Sequence, residues 1–244
     1  MSGIEFRGVT KTYPLYHHAF GGIKDLVVNF PRAFRSLREN SYTALKDVNF
    51  SVGNGEVLGV IGKNGAGKST LLSLAAGVMK PSHGTVSVEG RVFPMLELGG
   101  GFHPDLTGKE NIELNAVLLG LSRKEIRSRY QEIAEFAELG DFMLEPMRIY
   151  SSGMKAKLGF SVLANLDPDI LIIDEVLAVG DYEFQQKCFD TMEKFKRKGV
   201  TMLFVSHSMG DIRRICDRVL VLHDHKVSLE AGVEDAISHY ENLG

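Results

Sequence analysis

Cysteine is scarce: only Cys188 and Cys216 occur in 244 residues. They lie far apart and lack metal-ligand spacing, which excludes a disulfide-stapled scaffold and a paired-cysteine zinc site. Both read as packing residues in a reducing compartment. No apolar run is long enough to span a bilayer, and the N-terminus lacks the apolar core of a signal peptide. The expectation is a soluble, cytosolic chain that meets a membrane only through a partner. There is no excess of positive charge either. The net charge is −3, so no global basic field calls for nucleic acid. Internal repeats and low-complexity segments are also missing. What remains is 44% apolar content, enough for a sizeable core in one domain or two closely fused lobes.

Against that background one segment stands out. Residues Gly62-Lys63-Asn64-Gly65-Ala66-Gly67-Lys68-Ser69-Thr70 form a complete G-x-x-x-x-G-K-S phosphate-binding loop. The apolar run Val57-Leu58-Gly59-Val60-Ile61 before it reads as a buried strand, and Leu71, Leu72 and Leu74 after it read as the start of a helix. Strand, glycine loop and helix are the context this motif requires. Gly62, Gly65 and Gly67, with Asn64, let backbone N–H groups close around phosphate oxygens, and the helix N-terminus adds its positive end. Lys68 supplies a point charge for the β- and γ-phosphates. The Ser69 hydroxyl is placed to bind Mg²⁺, and Thr70 completes the cradle.

A second motif lies about a hundred residues on, Ile170-Leu171-Ile172-Ile173-Asp174-Glu175. Four consecutive aliphatics read as a strand buried on both faces of a parallel sheet. Two carboxylates at its end are costly to bury unless paired or metal-bound. Asp174 is the candidate Mg²⁺ ligand, directly or through water. Glu175 is the candidate to orient and polarise the attacking water. Phosphoryl transfer asks little covalent chemistry of a protein, so metal, lysine and a water-positioning carboxylate are its main parts.

The remainder alternates between strand and helix signals. Residues 1–12 and 47–61 read as strands, with Val86–Glu89 a further one, forming a β-rich platform around the phosphate loop. Residues 107–165 read as mostly helical. Thr107 with Glu110 and Ser122 with Glu125 have capping-box spacing, and the stretch from Ile126 to Leu139 reads as a surface helix. Strands return at 170–173, 201–205 and 218–222, with helices near 183–197 and 234–242, which argues for a parallel α/β core. Three smaller features could carry chemistry. Tyr150-Ser151-Ser152-Gly153-Met154 precedes a helix and could bind an anion, although Ser-Ser-Gly is also a common turn. His207 ends the strand Val205-Ser206-His207, a place where histidine is more often structural. Gly180-Asp181 lies a few residues past Glu175.

Together these residues resemble the ATP-binding subunit of an ABC transporter, and the resemblance covers nearly the whole chain. Gly62–Thr70, Tyr150–Met154, Ile170–Glu175, Ala178–Asp181 and His207 follow the order of the family's Walker A, signature, Walker B, D-loop and H-loop. The resemblance implies an α/β P-loop NTPase fold: an ABC-type nucleotide-binding domain over 1–244 with a RecA-like core, a β subdomain and a helical subdomain at about 103–165. It implies ATP and Mg²⁺ as ligands and ATP hydrolysis as the activity. It also implies a head-to-tail homodimer with two nucleotides sandwiched between subunits, in which Ser151 and Gly153 reach the γ-phosphate across the interface. His207 would brace the same phosphate and Glu175, and Asp181 would lie at the nucleotide. Tyr13 falls where the family stacks an aromatic on adenine, with Tyr42 as the alternative.

Two departures narrow the subgroup. The signature reads Tyr-Ser-Ser-Gly-Met rather than Leu-Ser-Gly-Gly-Gln, keeping the serine and second glycine that approach phosphate. The usual Q-loop glutamine is missing from Met95–Phe102, where Glu97 is the candidate to stand near Mg²⁺. A Gly99-Gly100-Gly101 run there is not rigid by itself and suggests a loop reshaped for a different membrane partner. These features resemble the polysaccharide-exporting subgroup, most closely the ATPase of O-antigen exporters, with capsule and teichoic-acid export ATPases as relatives. The implied partners are an integral-membrane transporter subunit and a lipid-linked polysaccharide cargo, with no nucleic acid. The implied place is the cytoplasmic face of the inner membrane. Some members carry a C-terminal β-sandwich that reads the glycan's end. This sequence stops at Gly244, so no such recognition is expected of it. An insertion at about 14–46 carries an apolar stripe, Ile23, Leu26, Val27 and Phe30, among basic residues. It reads either as a helix folded onto the β platform or as a basic amphipathic element near the membrane subunit or anionic headgroups.

Overall fold

The computed structural model describes residues 2–15, 41–95, 101–174 and 180–243. Strands β1 (Ser2–Pro14) and β2 (Ser41–Gly53) pair antiparallel, followed by β3 (Val57–Gly62). Helix α1 (Lys68–Ala75) leads to β4 (His83–Val88) and β5 (Val92–Met95). Three helices come next, α2 (Gly108–Leu118), α3 (Arg123–Ala137) and α4 (Ser152–Ala164). The chain then alternates: β6 (Ile170–Asp174), α5 (Tyr182–Arg197), β7 (Thr201–Val205), α6 (Met209–Ile215), β8 (Arg218–His223), β9 (Lys226–Gly232) and α7 (Val233–Asn242).

These strands make two sheets, a three-stranded one in the order β2-β1-β4 and a six-stranded one in the order β5-β6-β7-β3-β8-β9. In the second, β5, β6, β7, β3 and β8 run parallel, and β9 returns antiparallel at the edge. The aliphatic runs explain this arrangement. Along β6, Leu171 and Ile173 face one core, and Ile170 and Ile172 face the other. Met202 and Phe204 of β7 alternate with Leu203 and Val205 in the same way. A strand with no polar face must be covered on both sides. One side is covered by α5, α6 and α7, through Phe184, Phe195, Ile212 and Ile237. On the other lie α1 and the three-stranded sheet, through Leu71, Leu72, Phe6 and Phe50. Each such side chain contributes roughly 1.5–3 kcal/mol on burial, so the two cores that flank the sheet strongly stabilise it.

Helices α2–α4 build a third core, around Ile112, Ile126, Ile133, Met143, Tyr150 and Leu158. Both capping boxes expected there form: Thr107 opens α2 with Glu110 reaching back, and Ser122 opens α3 with Glu125. Asn111 is fully buried and pins the preceding turn. It donates to the carbonyls of His103, Leu106 and Thr107 and accepts from the His103 N–H at 2.7 Å.

Two sequence expectations need correction. Residues 47–61 are not one platform strand. Gly55, at φ 76, turns the chain, so 47–53 stay in the small sheet and Val57 begins the large one. The interruption before β2 is also shorter than 14–46. Pro14 pairs with Ser41, Tyr13 with Tyr42 and Thr12 with Thr43, so residue 14 and residues 41–46 are ladder. Residues 16–40, with the apolar stripe of the insertion, lie outside the described residues.

Candidate active site

The phosphate loop leaves the end of β3 and folds because its glycines meet demands no other residue satisfies. Gly67 caps α1 at φ 108, and a Cβ there would sit 2.4 Å from the Ala44 carbonyl oxygen and 2.7 Å from Leu45. A Cβ on Gly62 would stand 2.5 Å from the Leu222 carbonyl oxygen. Gly65, at φ 82, faces open space instead, as a residue must where backbone approaches a ligand. The N-cap of α1 is Gly67, so no side chain at that position occupies the helix N-terminus. Lys68 is buried at 8% exposure and donates to the carbonyls of Gly62 at 2.8 Å and Lys63 at 3.2 Å. Its ammonium therefore lies across the mouth of the loop.

The loop shares a cavity of about 480 Å³ with residues from distant parts of the chain. Asn64, Gly65, Gly67, Lys68, Ser69 and Thr70 line it together with Asp174 and His207. The sheet produces this convergence. β6, β7 and β3 are parallel neighbours, so their carboxyl ends open on one edge. Asp174 is the last residue of β6, and Val205 beside it ends β7. Ligands of open α/β sheets bind at such edges. The turn that presents His207 is fixed by two serines that sequence reasoning passed over. Ser206 Oγ accepts from the Ser208 N–H at 3.0 Å, and Ser208 caps α6 by accepting from the Asp211 N–H. The Ser208/Asp211 spacing is a legible cap signal, although α6 has only seven residues.

Tyr13 and Tyr42 face each other across the β1/β2 ladder. Tyr42 lines the cavity, donates to the Gly65 carbonyl at 3.3 Å and meets the His225 ring edge-on, with centroids 5.4 Å apart. Tyr13 lies beside the loop helix, its hydroxyl donating to Met79 Sδ at 3.1 Å and 3.5 Å from Thr70 Oγ1.

Ser151, Gly153 and Asp181 are not among the described residues that line this cavity. Ser151 caps α4, accepting from the Met154 N–H at 3.2 Å, and both Ser151 and Ser152 are exposed. A Cβ on Gly153 would find nothing nearer than 3.9 Å, so this helix end is open to an approaching group. Tyr150 before it is an anchor: it is buried and its hydroxyl donates to the Phe142 carbonyl. Burial pushes its phenol pKa up. Asp181 caps α5, accepting from the Phe184 N–H at 2.9 Å and from Lys157 at 2.6 Å. Those bonds, the lysine's first, hold its carboxyl below the usual carboxylate range. Glu175, Glu97 and Ala178 lie outside the described residues. Cys188 and Cys216 are buried packing residues, each with a thiol pushed up to about 12 by burial.

The donor set fits its expected ligands. An open glycine loop, a lysine and a helix N-terminus suit a chain of phosphates. The Ser69 hydroxyl and the Asp174 carboxylate are hard oxygen ligands of the kind Mg²⁺ accepts while keeping water and phosphate oxygens.

A nucleotide-binding edge on an α/β sheet, with a separate helical unit, defines an ATPase cassette. The chain belongs to the ABC transporter family, whose model matches residues 45–178. Among its relatives, the O-antigen export system ATP-binding protein RfbB of Klebsiella pneumoniae is 59% identical over 238 residues, covering 98% of this chain and 97% of the relative. The teichoic acids export ATP-binding protein TagH of Bacillus anthracis is 41% identical over 98% of this chain, which spans only 42% of that protein. The fold matches the ATP-binding cassette MJ0796, solved as a dimer bound to ADP and Pi, with TM-score 0.74 at 23% identity over 94% of this chain and 98% of that one. The protein is thus an ABC ATPase and a close homologue of an O-antigen export ATPase. Among the described residues no helix is long and apolar enough to cross a membrane.

Proposed function

We propose that this chain is the ATP-hydrolysing subunit of an exporter that moves lipid-linked, O-antigen-type polysaccharide across the cytoplasmic membrane. It works as a homodimer on the cytoplasmic face of the inner membrane, beside an integral-membrane subunit. The observation that carries the cargo assignment is 59% identity to the O-antigen relative along nearly the full length of both chains. The teichoic-acid relatives are more distant and longer.

Within the site each residue has a role. Residues 1–244 act as one nucleotide-binding domain, with about 103–165 as its helical subdomain. Gly62, Asn64, Gly65, Gly67 and Thr70 shape the backbone cradle, and Lys68 neutralises the β- and γ-phosphates. Ser69 and Asp174, with Glu97, would hold Mg²⁺, which when bound offsets charge on the phosphate oxygens. Glu175 orients the attacking water and His207 braces it and the γ-phosphate. Tyr42, on the cavity wall, stacks on the base, with Tyr13 supporting the loop helix behind it. Ser151 and Gly153, turned away from their own cavity, complete the site of a second copy, and Asp181 lies at that junction. ATP-driven closure of the dimer is passed to the membrane subunit, and hydrolysis resets it.

The test is made in cells carrying only the Glu175→Gln form. Lipid-linked polysaccharide should accumulate inside and disappear from the surface, and purified Glu175→Gln should bind ATP while Lys68→Ala binds it poorly. Unchanged surface glycan would reject the cargo; normal turnover by either variant would reject the role given to that residue.

A further inference from the structure

We propose that Lys157 is a positioning residue for ATP hydrolysis, tying helix α4, which carries Ser151 and Gly153 at its start, to Asp181 at the start of α5. The inference rests on the site assignment above.

Lys157 lies six residues past Ser151 on α4. Its side chain is only 17% exposed, yet it ends on an aspartate that is 60% exposed. Nζ donates to Asp181 Oδ2 at 2.6 Å and stands 5.1 Å from the centre of the Phe184 ring. The packing around the stem accommodates it. Gly180 is at φ 75, and a Cβ there would meet Lys157 Cε at 3.0 Å. Asp181 is held by a second bond, from the Phe184 N–H. One carboxylate therefore joins two helices: it caps the start of α5 with one oxygen and, through Lys157, holds the middle of α4 with the other. Asp181 also follows Asp174, the end of β6, by seven residues. The link thus connects the helix that meets the partner's nucleotide to the chain leaving the Asp174 side of its own site.

Stability does not account for this arrangement. An ion pair with one exposed member adds little to folding, and α4 and α5 already share an aromatic contact through Phe160 and Phe184. What the pair fixes is position. A lysine with most of its length buried has few rotamers, so a displacement of the α4 start is transmitted to Asp181 rather than absorbed.

The test uses the full chain assembled with its membrane subunit. Lys157→Met keeps the apolar stem over Phe184 and removes the charge; Asp181→Asn keeps a capping side chain and removes the ion pair. Each should lower kcat about tenfold or more while leaving ATP affinity within about twofold and melting temperature nearly unchanged, and Lys157→Arg should recover most of the rate. The double variant should be no worse than the poorer single one, because both break one link. Wild-type kcat in Lys157→Met, additive losses in the double variant, or a parallel fall in affinity, melting temperature and rate would each overturn the proposal. Lys68→Ala is measured alongside. Full ATP binding by that variant would reject the phosphate-loop assignment itself, whatever Lys157 does.

Discussion

Gly67→Ala tests whether the phosphate loop is built as the geometry says. The residue sits at φ 108, and the added methyl would lie 2.4 Å from the Ala44 carbonyl oxygen and 2.7 Å from Leu45 Cδ2. Two costs combine. A left-handed backbone costs an L-residue about 1–2 kcal/mol, and overpacking against a fixed neighbour costs about 1–3 kcal/mol more. Ala44 lies in β2 between Thr43 and Leu45, both paired with β1, so its carbonyl cannot retreat far without disturbing those neighbours. Together these predict a loss of about 3 kcal/mol, or roughly 6–12 °C in melting temperature for a chain of this size. Gly65→Ala is the matched control. It has φ 82 but nothing within 4 Å, so it bears the backbone cost alone, about 1 kcal/mol or roughly 2–4 °C. Thermal melts of both variants without nucleotide separate the two terms, and repeating them with ATP reads the site. Gly67→Ala should lose the stabilisation that ATP gives the native chain. Equal melting temperatures for the two variants would refute the steric argument.

The tyrosines divide by what they touch. Tyr42→Ala should weaken ATP binding by about tenfold or more, in line with stacking worth ~1–3 kcal/mol per base. Tyr13→Ala should act mainly on stability, and equilibrium binding of a fluorescent ATP analogue distinguishes the two; equal loss of affinity would count against Tyr42. The capping boxes give a pH signature. Glu110 and Glu125 are held below their ordinary value of 4.5 by hydrogen bonds, Glu110 first from the Thr107 N–H and Glu125 first from the Ser122 hydroxyl. A depressed folded-state pKa means the unfolded chain binds protons more readily. Their contribution is therefore present above about pH 4.5 and lost as pH falls through the folded values. Glu110→Gln and Glu125→Gln should flatten the acid side of the stability profile without moving it at pH 7 by more than a cap's strength, as followed by urea unfolding.

Legibility in the sequence tracked how local each signal was. The phosphate loop, Asp174 and both capping boxes were readable because each needs particular residue types at fixed short spacing. Strands β6, β7 and β8 were readable because burial on both faces leaves an unbroken run of four apolar residues in each. What escaped had contrary local signals. β5 contains Pro94, which argues against a strand, and is tolerated because β5 is the edge of its sheet. β9 follows a turn whose positive φ values fall on Asp224 and His225, neither of them glycine, so no hairpin signal marked it. The extent of the insertion was misjudged because β1 and β2 pair at Tyr13 and Tyr42 across a long sequence gap. Register of that kind is a tertiary fact. The Lys157–Asp181 link was invisible for the same reason.

The spacing of the motifs follows from the direction of the strands. A loop, a carboxylate and a histidine can share one cavity only if their strands end at the same edge, and parallel neighbours do so by construction. Each return to that edge requires a crossover. This is why Lys68 and Asp174 are separated by the helical unit, and Asp174 and His207 by α5. Residues at helix starts, rather than at strand ends, are not collected by this device. Ser151 and Gly153 begin α4, at the edge of the helical core rather than of the sheet. Tyr150 anchors that start by burial and by its bond to Phe142, while Lys157 binds the same helix back to Asp181. On the proposed reading, this exposed cap with its open glycine serves a nucleotide that its own chain does not cradle. A second copy of the chain would supply that nucleotide, and on that reading the sheet fixes half of each site and α4 carries the other half.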